Sequence, residues 1–241
     1  MSIHKMFDRL FDSGGSDIKI EETFIHGTAT VCGREAVIIG TCNQTLINSE
    51  LALKIAGAIL NAVRDDSTVG CPPRPIVFLV DTRGQELSRH DELIGLNGYF
   101  AHVARCVDLA KRYRHRVVTL IHGEAVSGGF LAFGMMADRV CSLPDAHVRV
   151  MDMHAMARVT RIAYEKLSEL AGESPVFAPG AENFWRMGAV HELWGAGDDW
   201  RACLAAALNA YPEADDSRAA LGLERGGRQL AAPVAGIVTS A

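Results

Sequence analysis

Two short apolar runs constrain the fold of this chain more than any other feature of its sequence. They are Ile76–Val80, which has no polar residue, and Val117–Ile121, in which only Thr119 is polar. A continuous apolar run of this length is typical of a strand that is buried on both faces, as in parallel sheets. Patterns typical of helices follow both runs. Strands that alternate with helices along one chain predict an α/β fold with substantial parallel pairing.

The segments around these runs predict the organisation of the chain. Residues 1–22 are polar and are interrupted by Gly and Ser, so we expect an extended N-terminal arm. Ser88 and Asp91 form a capping pattern that predicts a helix of roughly 24 residues. One domain is expected over residues 23–210. The remainder, residues 211–241, is rich in Ala and Gly, which predicts a partly ordered C-terminal tail.

Composition argues against several classes of protein. The formal net charge is −5 and no block of Lys or Arg is present, so a nucleic-acid partner is not expected. No apolar stretch approaches the roughly 18 residues that a membrane span needs, and the first residues do not form the apolar segment of a secretory signal. The six cysteines are scattered and form no C-x-x-C pair. We therefore expect reduced thiols, no zinc site, no membrane contact and a cytoplasmic protein.

The segments that follow the two apolar runs contain the candidate site. They are Asp81–Gln85 and Gly123–Gly129, and each lies between a predicted strand and a predicted helix. In open α/β sheets, ligands bind at such carboxyl ends of strands. A helix that begins at Gly128 and Gly129 presents unpaired backbone N–H groups, and the absence of Cβ atoms lets a ligand oxygen approach them. These residues predict an oxyanion-binding site.

The same glycines also have a structural interpretation. Two glycines at the start of a helix allow it to pack closely against a sheet, and the local pattern alone does not separate this role from ligand binding. The helix that follows is apolar on nearly all sides between Phe130 and Met136, so its start belongs to the centre of the domain. That context favours the oxyanion site.

Two polar residues of these segments are candidates for substrate binding. Arg83 is predicted to bind a carboxylate or phosphate, although an ion pair with Asp81 or with a neighbouring loop explains it equally well. Ser127 is predicted to contact the substrate and not to act as a nucleophile. The reason is that the G-x-S-x-G pattern of hydrolases has Ala125 here in place of its first glycine.

Histidines supply weaker candidates. His122 and Glu124 form an H-x-E pattern without the later P-C-x-x-C of zinc deaminases, so no metal site is predicted and a structural His122 is favoured. His154 and Arg158 would share one face if their segment is helical, and from there they could reach a substrate carboxylate. For this pair too, the structural interpretation is favoured.

Three segments carry a resemblance to a known family. They are Pro75–Gly84, Ile121–Phe130 and Met135–Val140. Together they resemble the carboxyltransferase branch of the crotonase superfamily and are similar to the α-type subunit of acetyl-CoA carboxylase carboxyltransferase. Within that branch, the chain most resembles the γ subunits of biotin-independent malonate decarboxylases. The resemblance covers roughly Phe24–Leu208, and its Asp-Thr-Arg-Gly and Ser-Gly-Gly motifs are the most specific parts.

The resemblance implies a fold and a set of site residues. The fold would be a crotonase/ClpP-like spiral of ββα units with flanking helices. Members of the superfamily hold a thioester carbonyl between two backbone N–H groups, which implies that one donor is Gly128, with Gly129 beside it, and that the other is Gly84 or Gln85. Leu131 stands where crotonase-type hydratases have a carboxylate. Water addition is therefore disfavoured, while decarboxylation or carboxyl transfer remains.

The resemblance also implies partners. A β subunit would share the active site, and the malonyl group would be carried on the phosphoribosyl-dephospho-CoA group of an acyl-carrier subunit. This chain would then bind no cofactor of its own. The pair would convert the malonyl-carrier thioester to the acetyl-carrier thioester and CO₂ through an enolate. Two alternatives stay open, namely a subunit that passes the carboxyl group to biotin and a non-catalytic scaffold subunit.

Overall fold

The computed structural model describes residues 1–67, 72–174, 178–210 and 216–240. The strands within these residues form one sheet, in the order β1-β2-β3-β5-β6-β7-β9, with β4 and β8 attached to the side of this path. They are β1 (Ser16–Glu21), β2 (Phe24–Val31), β3 (Arg34–Thr41), β4 (Thr45–Ile47), β5 (Ile76–Gln85), β6 (Val117–Val126), β7 (Arg139–Ser142), β8 (His147–Arg149) and β9 (Glu192–Leu193).

Helices cover this sheet and extend beyond it. They are α1 (Ile3–Leu10), α2 (Ser49–Asp65), α3 (Arg89–Leu93), α4 (Leu96–Arg112), α5 (Ser127–Phe133), α6 (Met153–Thr160), α7 (Tyr164–Glu173), α8 (Ala181–Arg186), α9 (Trp200–Asn209), α10 (Arg218–Glu224) and α11 (Ala231–Thr239). A 3₁₀ turn, Gly134–Met136, follows α5. Within the described part of the chain, no helix combines the length and apolar character needed to cross a bilayer.

Parallel pairing begins at β3. The first three strands form an antiparallel meander, whereas β3, β5, β6, β7 and β9 pair in parallel. The predicted α/β fold with substantial parallel pairing is therefore confirmed. It follows from the two apolar runs, because Ile76–Val80 and Val117–Ile121 lie side by side at the centre of the sheet.

The two central strands are longer than the sequence predicts. Beyond Val80, β5 leaves its first partner β3 and pairs with β4, and beyond Ile121 β6 leaves β7 and pairs with β8. The register of β5 on β6 shifts between Val80 and Thr82 at this change of partner. The new partners form hydrogen bonds with the backbone in the second half of each strand. The polar residues there can therefore be part of the sheet. Of the two segments expected between strand and helix, Asp81–Gln85 is therefore strand throughout and Gly123–Gly129 is strand as far as Val126.

Both faces of the sheet are covered by helices, which explains why its central strands are continuously apolar. On one face, Phe78 packs in a core formed with α2, α4 and α5. On the other face, Val77 and Leu79 pack in a second core to which α1 and α9 contribute Leu10 and Trp200. Successive side chains of a strand point to opposite faces, so each core receives alternate residues of β5.

The N-terminal residues do not form the extended arm that was predicted. Within residues 1–22, α1 packs against α9 and β1 pairs with β2 along its whole length. Met6 and Leu10 lie one helical turn apart and are buried, and Arg9 lies over the Trp200 ring at 3.3 Å from its centroid. This apolar stripe on α1 indicates an amphipathic helix, which the polar composition of the segment as a whole did not suggest.

The long helix predicted from Ser88 is two helices. The cap is confirmed, because the Ser88 side chain accepts the Asp91 N–H at 3.0 Å. The helix breaks at Gly95, whose φ of +77° is left-handed and ends the α-helical geometry. Asp91 is buried and also accepts the backbone N–H of Ser49 at 2.9 Å, so it links the starts of α2 and α3.

The predicted C-terminal tail contains two helices that differ in their contacts. Helix α10 is bonded to the domain, because Arg218 donates to the Met135 carbonyl and Arg225 donates to those of Trp185 and Val190, each at 2.8–2.9 Å. This attachment was not predicted. Helix α11, in contrast, has no buried residue. Residues 211–215 and 241 of the predicted tail lie outside the described residues.

Candidate active site

Gly84 and Gly129 bring the end of β5 against the start of α5. A Cβ atom at Gly129 would lie 2.9 Å from the Gly84 carbonyl carbon, which is closer than Cβ atoms approach backbone. Gly84 itself has a φ of +103°, which side chains rarely allow. At this contact the structural interpretation of the glycines is correct, since both are needed for two backbones to touch.

Gly128 has different surroundings from its neighbour. Its backbone N–H donates to Oε1 of Gln85 at 3.2 Å. A Cβ atom here would lie 3.3 Å from that oxygen and 3.4 Å from the Phe100 ring, and these are side-chain atoms. We call the space in front of the Gly128 N–H, bounded by Gln85 and Phe100, the Gly128 opening. The two adjacent glycines therefore have different contacts, because Gly129 lies against the Gly84 backbone and the Gly128 N–H is bonded to a side chain.

Ser127 sets the direction of this N–H. Its φ is +52°, in the left-handed region that a non-glycine residue adopts at a cost of about 1–2 kcal/mol. The chain therefore turns abruptly from β6 into α5, and the Gly128 N–H comes to face Gln85. Helix α5 has seven residues, so the N–H groups themselves matter more here than the dipole of a long helix.

At the end of β5, one of the two predicted candidates for the second donor, the Gly84 N–H, is already hydrogen-bonded within the chain. The Gly84 N–H donates to Oγ1 of Thr82 at 3.1 Å, and the same hydroxyl donates to the Thr45 carbonyl at 2.8 Å. One residue beyond Gln85, the Glu86 N–H donates to the carbonyl oxygen of Ile47 at 3.0 Å, toward β4. Backbone N–H groups of successive strand residues point to opposite edges, so the Gln85 N–H faces away from β4.

Arg83 lies in a different place from the Gly128 opening. Its side chain is exposed and lines a groove of about 440 Å³. Carboxylates and one ammonium group share that groove, namely those of Glu21, Glu22, Glu50, Glu86 and Lys54. Asp81, the predicted alternative partner of Arg83, instead accepts backbone N–H groups. The predicted role of Arg83 in substrate binding stays a prediction.

A second group of polar residues lies in the middle of β5 and β6. We call Asp81, His122, Gly123 and Glu124 the polar cluster, and it borders a cavity of about 430 Å³. Oδ2 of Asp81 accepts the Gln44 N–H at 3.0 Å and Oδ1 accepts the Glu124 N–H at 2.9 Å. A Cβ atom at Gly123 would lie 2.3 Å from Oδ1 of Asp81, so glycine is required at that position.

The side chains of the polar cluster are engaged with the fold. Nε2 of His122 lies 3.0 Å from the Thr41 carbonyl oxygen, and Glu124 forms an ion pair with Arg149 at 2.5 Å. Burial lowers the pKa of His122 below its ordinary value, although the Asp81 carboxylate opposes that shift. These contacts support the structural interpretation of His122 that the sequence favoured.

Two other predicted features can be placed in the structure. Leu131, at the position where hydratases have a carboxylate, lies on α5 with 44% of its surface exposed. His154 and Arg158 lie on α6, so their expected helical spacing is confirmed. His154 stacks on Tyr164 with 4.4 Å between ring centroids, which is a structural contact.

Sequence reasoning missed the side chains that bound the site. Gln85 was singled out for its backbone, and nothing in the sequence indicated that its carboxamide lies on Gly128. Phe100 has the spacing of a buried residue on α4, and only the packing of α4 against α5 brings it to the Gly128 opening. Thr82, which bonds the Gly84 N–H, had no signal of its own in the sequence.

The fold and the contact between β5 and α5 indicate the class of this protein. Its mixed α/β architecture with a central sheet is that of the crotonase-type fold. The chain belongs to the malonate decarboxylase γ subunit family, since the sequence model of that family matches residues 42–241. The resemblance given by the three motif segments is thereby confirmed, as is the predicted spiral fold.

Individual relatives agree with this assignment. The malonyl-S-ACP:biotin-protein carboxyltransferase MADD of Malonomonas rubra is 28% identical over 91% of this chain and 84% of its own length. A Pseudomonas malonate decarboxylase hetero-tetramer, solved with coenzyme A, contains a chain that is similar with a TM-score of 0.81 and 21% identity, over 98% and 97% of the two chains. Transcarboxylase 12S is similar with a TM-score of 0.71 and 19% identity, over 89% of this chain and 44% of that one.

Proposed function

We propose that this chain, together with a β subunit, decarboxylates a malonyl thioester that an acyl-carrier subunit presents on its phosphoribosyl-dephospho-CoA group. Membership of the malonate decarboxylase γ subunit family supports this reaction. The similar Pseudomonas chain belongs to a hetero-tetramer, which supports a partner subunit. We place the reaction in the cytoplasm, in keeping with the free thiols of the described cysteines, whereas Cys71 lies outside the described residues.

The chemistry that this site must provide is stabilisation of an enolate. When the malonyl carboxylate leaves as CO₂, the electron pair of the broken C–C bond moves into the thioester and places negative charge on its oxygen. A proton then adds to the α carbon, from which the carboxylate left, and gives the acetyl thioester. Because Leu131 cannot transfer a proton, we assign the protonation to water or to a group of the partner.

The Gly128 N–H is the donor that we assign to the enolate oxygen. In the folded chain this N–H donates to the side-chain oxygen of Gln85, and that hydrogen bond is the observation that carries the proposal. The Gln85 side chain can rotate away and free the N–H for a ligand. We assign the second donor to the Gln85 N–H, because the Gly84 N–H is already bonded to Thr82. Gly129 supports the site by its contact with Gly84. Donors placed in this way act mainly on the charge that develops in the transition state.

Replacement of Gly128 tests this assignment. In the reconstituted complex with the β and carrier subunits, we expect Gly128→Val to lower kcat at least about hundredfold, because its side chain occupies the place of the thioester oxygen. The fold should survive, since the nearest atoms belong to side chains, and the melting temperature checks this. Near-normal turnover by the folded variant would refute the oxyanion role and would favour a scaffold subunit.

Carboxyl transfer to biotin is the second candidate function. It is favoured by the similarity to MADD, whose description is a malonyl-S-ACP:biotin-protein carboxyltransferase. Both reactions pass through the same enolate, so the Gly128 opening would serve either one. Release of ¹⁴CO₂ from labelled malonyl carrier in the absence of any biotinylated protein supports decarboxylation. A strict requirement for a biotin-carrying domain supports transfer.

A further inference from the structure

We propose that the carboxamide oxygen of Gln85 is an internal competitor that reserves the Gly128 N–H for a charged oxygen. This inference rests on the proposed oxyanion role of Gly128. Oε1 of Gln85 lies 3.2 Å from the Gly128 nitrogen, within hydrogen-bonding distance. An amide oxygen is neutral and is similar in its hydrogen bonding to the carbonyl oxygen of a thioester ground state.

The geometry allows the side chain to leave without movement of the backbone. On one side of Gln85, the Gly84 N–H is held by Thr82, and on the other side the Glu86 N–H is held by Ile47 of β4. The backbone of β5 is therefore fixed, while the Gln85 side chain is only half-buried. Rotation about its side-chain bonds opens or closes the position in front of Gly128.

Displacement of Gln85 is nearly neutral in free energy for the ground state and favourable for the enolate. A neutral thioester oxygen that displaces Oε1 of Gln85 exchanges one neutral hydrogen bond for another and gains little. An enolate oxygen gains more, because hydrogen bonds to a charged acceptor are roughly twice as strong as neutral ones. Gln85 therefore weakens the binding of substrate and of acetyl product, while the enolate still displaces it. The cost of displacing Gln85 is the same in both states, so its effect falls on KM and on product inhibition.

Removal of the carboxamide should strengthen ground-state binding. In the reconstituted complex, we expect Gln85→Ala and Gln85→Met to lower the KM for the malonyl carrier about two- to tenfold, the range that one neutral hydrogen bond represents. The inhibition constant of the acetyl-carrier product should fall by a similar factor. Both substitutions keep the backbone N–H of Gln85, so KM and product inhibition report on the carboxamide alone.

A charged competitor provides a second, pH-dependent readout. The carboxylate of Gln85→Glu would accept the Gly128 N–H more strongly than an amide does and would repel an enolate. We expect its kcat/KM to be at least about tenfold below that of the natural protein at neutral pH. As pH falls and the introduced carboxylate is protonated, the ratio of variant to natural kcat/KM should rise. A purely structural role of Gln85 would give no such rise.

Glu86→Gln is the matched control, because it also changes one polar side chain at the end of β5 but lies in the groove that contains Arg83. Its KM and product inhibition should be unchanged. A higher KM or a tenfold loss of kcat in Gln85→Ala would overturn the proposal and would make Gln85 a substrate-binding side chain. A failure of the oxyanion role of Gly128 can be distinguished from a failure of the Gln85 proposal. In the first case Gly128→Val would stay active, whatever the results for the Gln85 variants.

Discussion

The Gly128 opening lies at the ends of the two strands that carry the polar cluster, yet the two regions use their polar groups in opposite ways. In the polar cluster, the Asp81 carboxylate accepts two backbone N–H groups and His122 lies against the Thr41 carbonyl. Those partners are backbone atoms that cannot move away. In the Gly128 opening, the N–H is bonded to a side chain that can rotate.

This difference separates groups that build the fold from groups that are available for chemistry. A buried carboxylate that accepts two backbone N–H groups stabilises the change of strand partner around it. A backbone N–H whose partner is a rotatable amide can be transferred to a ligand at small cost. Mutations can test this comparison in three places.

The largest effect is expected at Asp81 and on stability. Asp81→Ala removes the acceptor of two backbone N–H groups at a position that is 8% exposed. Each unsatisfied buried group costs about 1–3 kcal/mol, so for two groups we expect the free energy of unfolding to fall by about 2–6 kcal/mol in urea denaturation. Asp81→Asn keeps one acceptor and should lose less. A stable but inactive Asp81→Ala protein would contradict the structural role of the polar cluster.

An intermediate effect is expected at Gly129. The methyl group of Gly129→Ala would meet the Gly84 backbone at 2.9 Å, and overpacking of this kind costs about 1–3 kcal/mol. The control is Gly57→Ala on α2, where no heavy atom lies within 4 Å of the Cβ position, so that variant should be neutral or slightly stabilised. Equal stability of the two variants, measured by thermal unfolding, would show that the contact between β5 and α5 tolerates a side chain.

The smallest effect is expected at Arg83, which belongs to neither region. If its exposed guanidinium binds an anionic part of the carrier or substrate, Arg83→Ala should raise KM about two- to fivefold with kcat unchanged. Salt should reduce the difference, because exposed charges are screened. Lys54→Ala removes a cation from the same groove and is the control. An unchanged KM for Arg83→Ala at low salt would remove Arg83 from the site.

The fold was largely predictable from short stretches of sequence. The apolar runs Ile76–Val80 and Val117–Ile121 identified the centre of the sheet because burial on both faces leaves few polar positions in a strand. The N-terminal arm was predicted wrongly because the few apolar residues of α1 are dispersed among charged ones. Their contact with Trp200 depends on a helix from the far end of the chain. The break at Gly95 was equally hidden, since an isolated glycine does not always end a helix.

By itself, the sequence determined the family, the central strands and the positions of the glycines, because apolar periodicity and the lack of a Cβ atom are local properties of the chain. Only the tertiary structure decided what each glycine contacts. Gly128 and Gly129 are neighbours with the same chemistry. They differ because the Gly84 backbone lies against Gly129, whereas the Gln85 side chain lies against Gly128. That assignment depends on how β5 packs against α5, a contact between distant parts of the chain that no local pattern records.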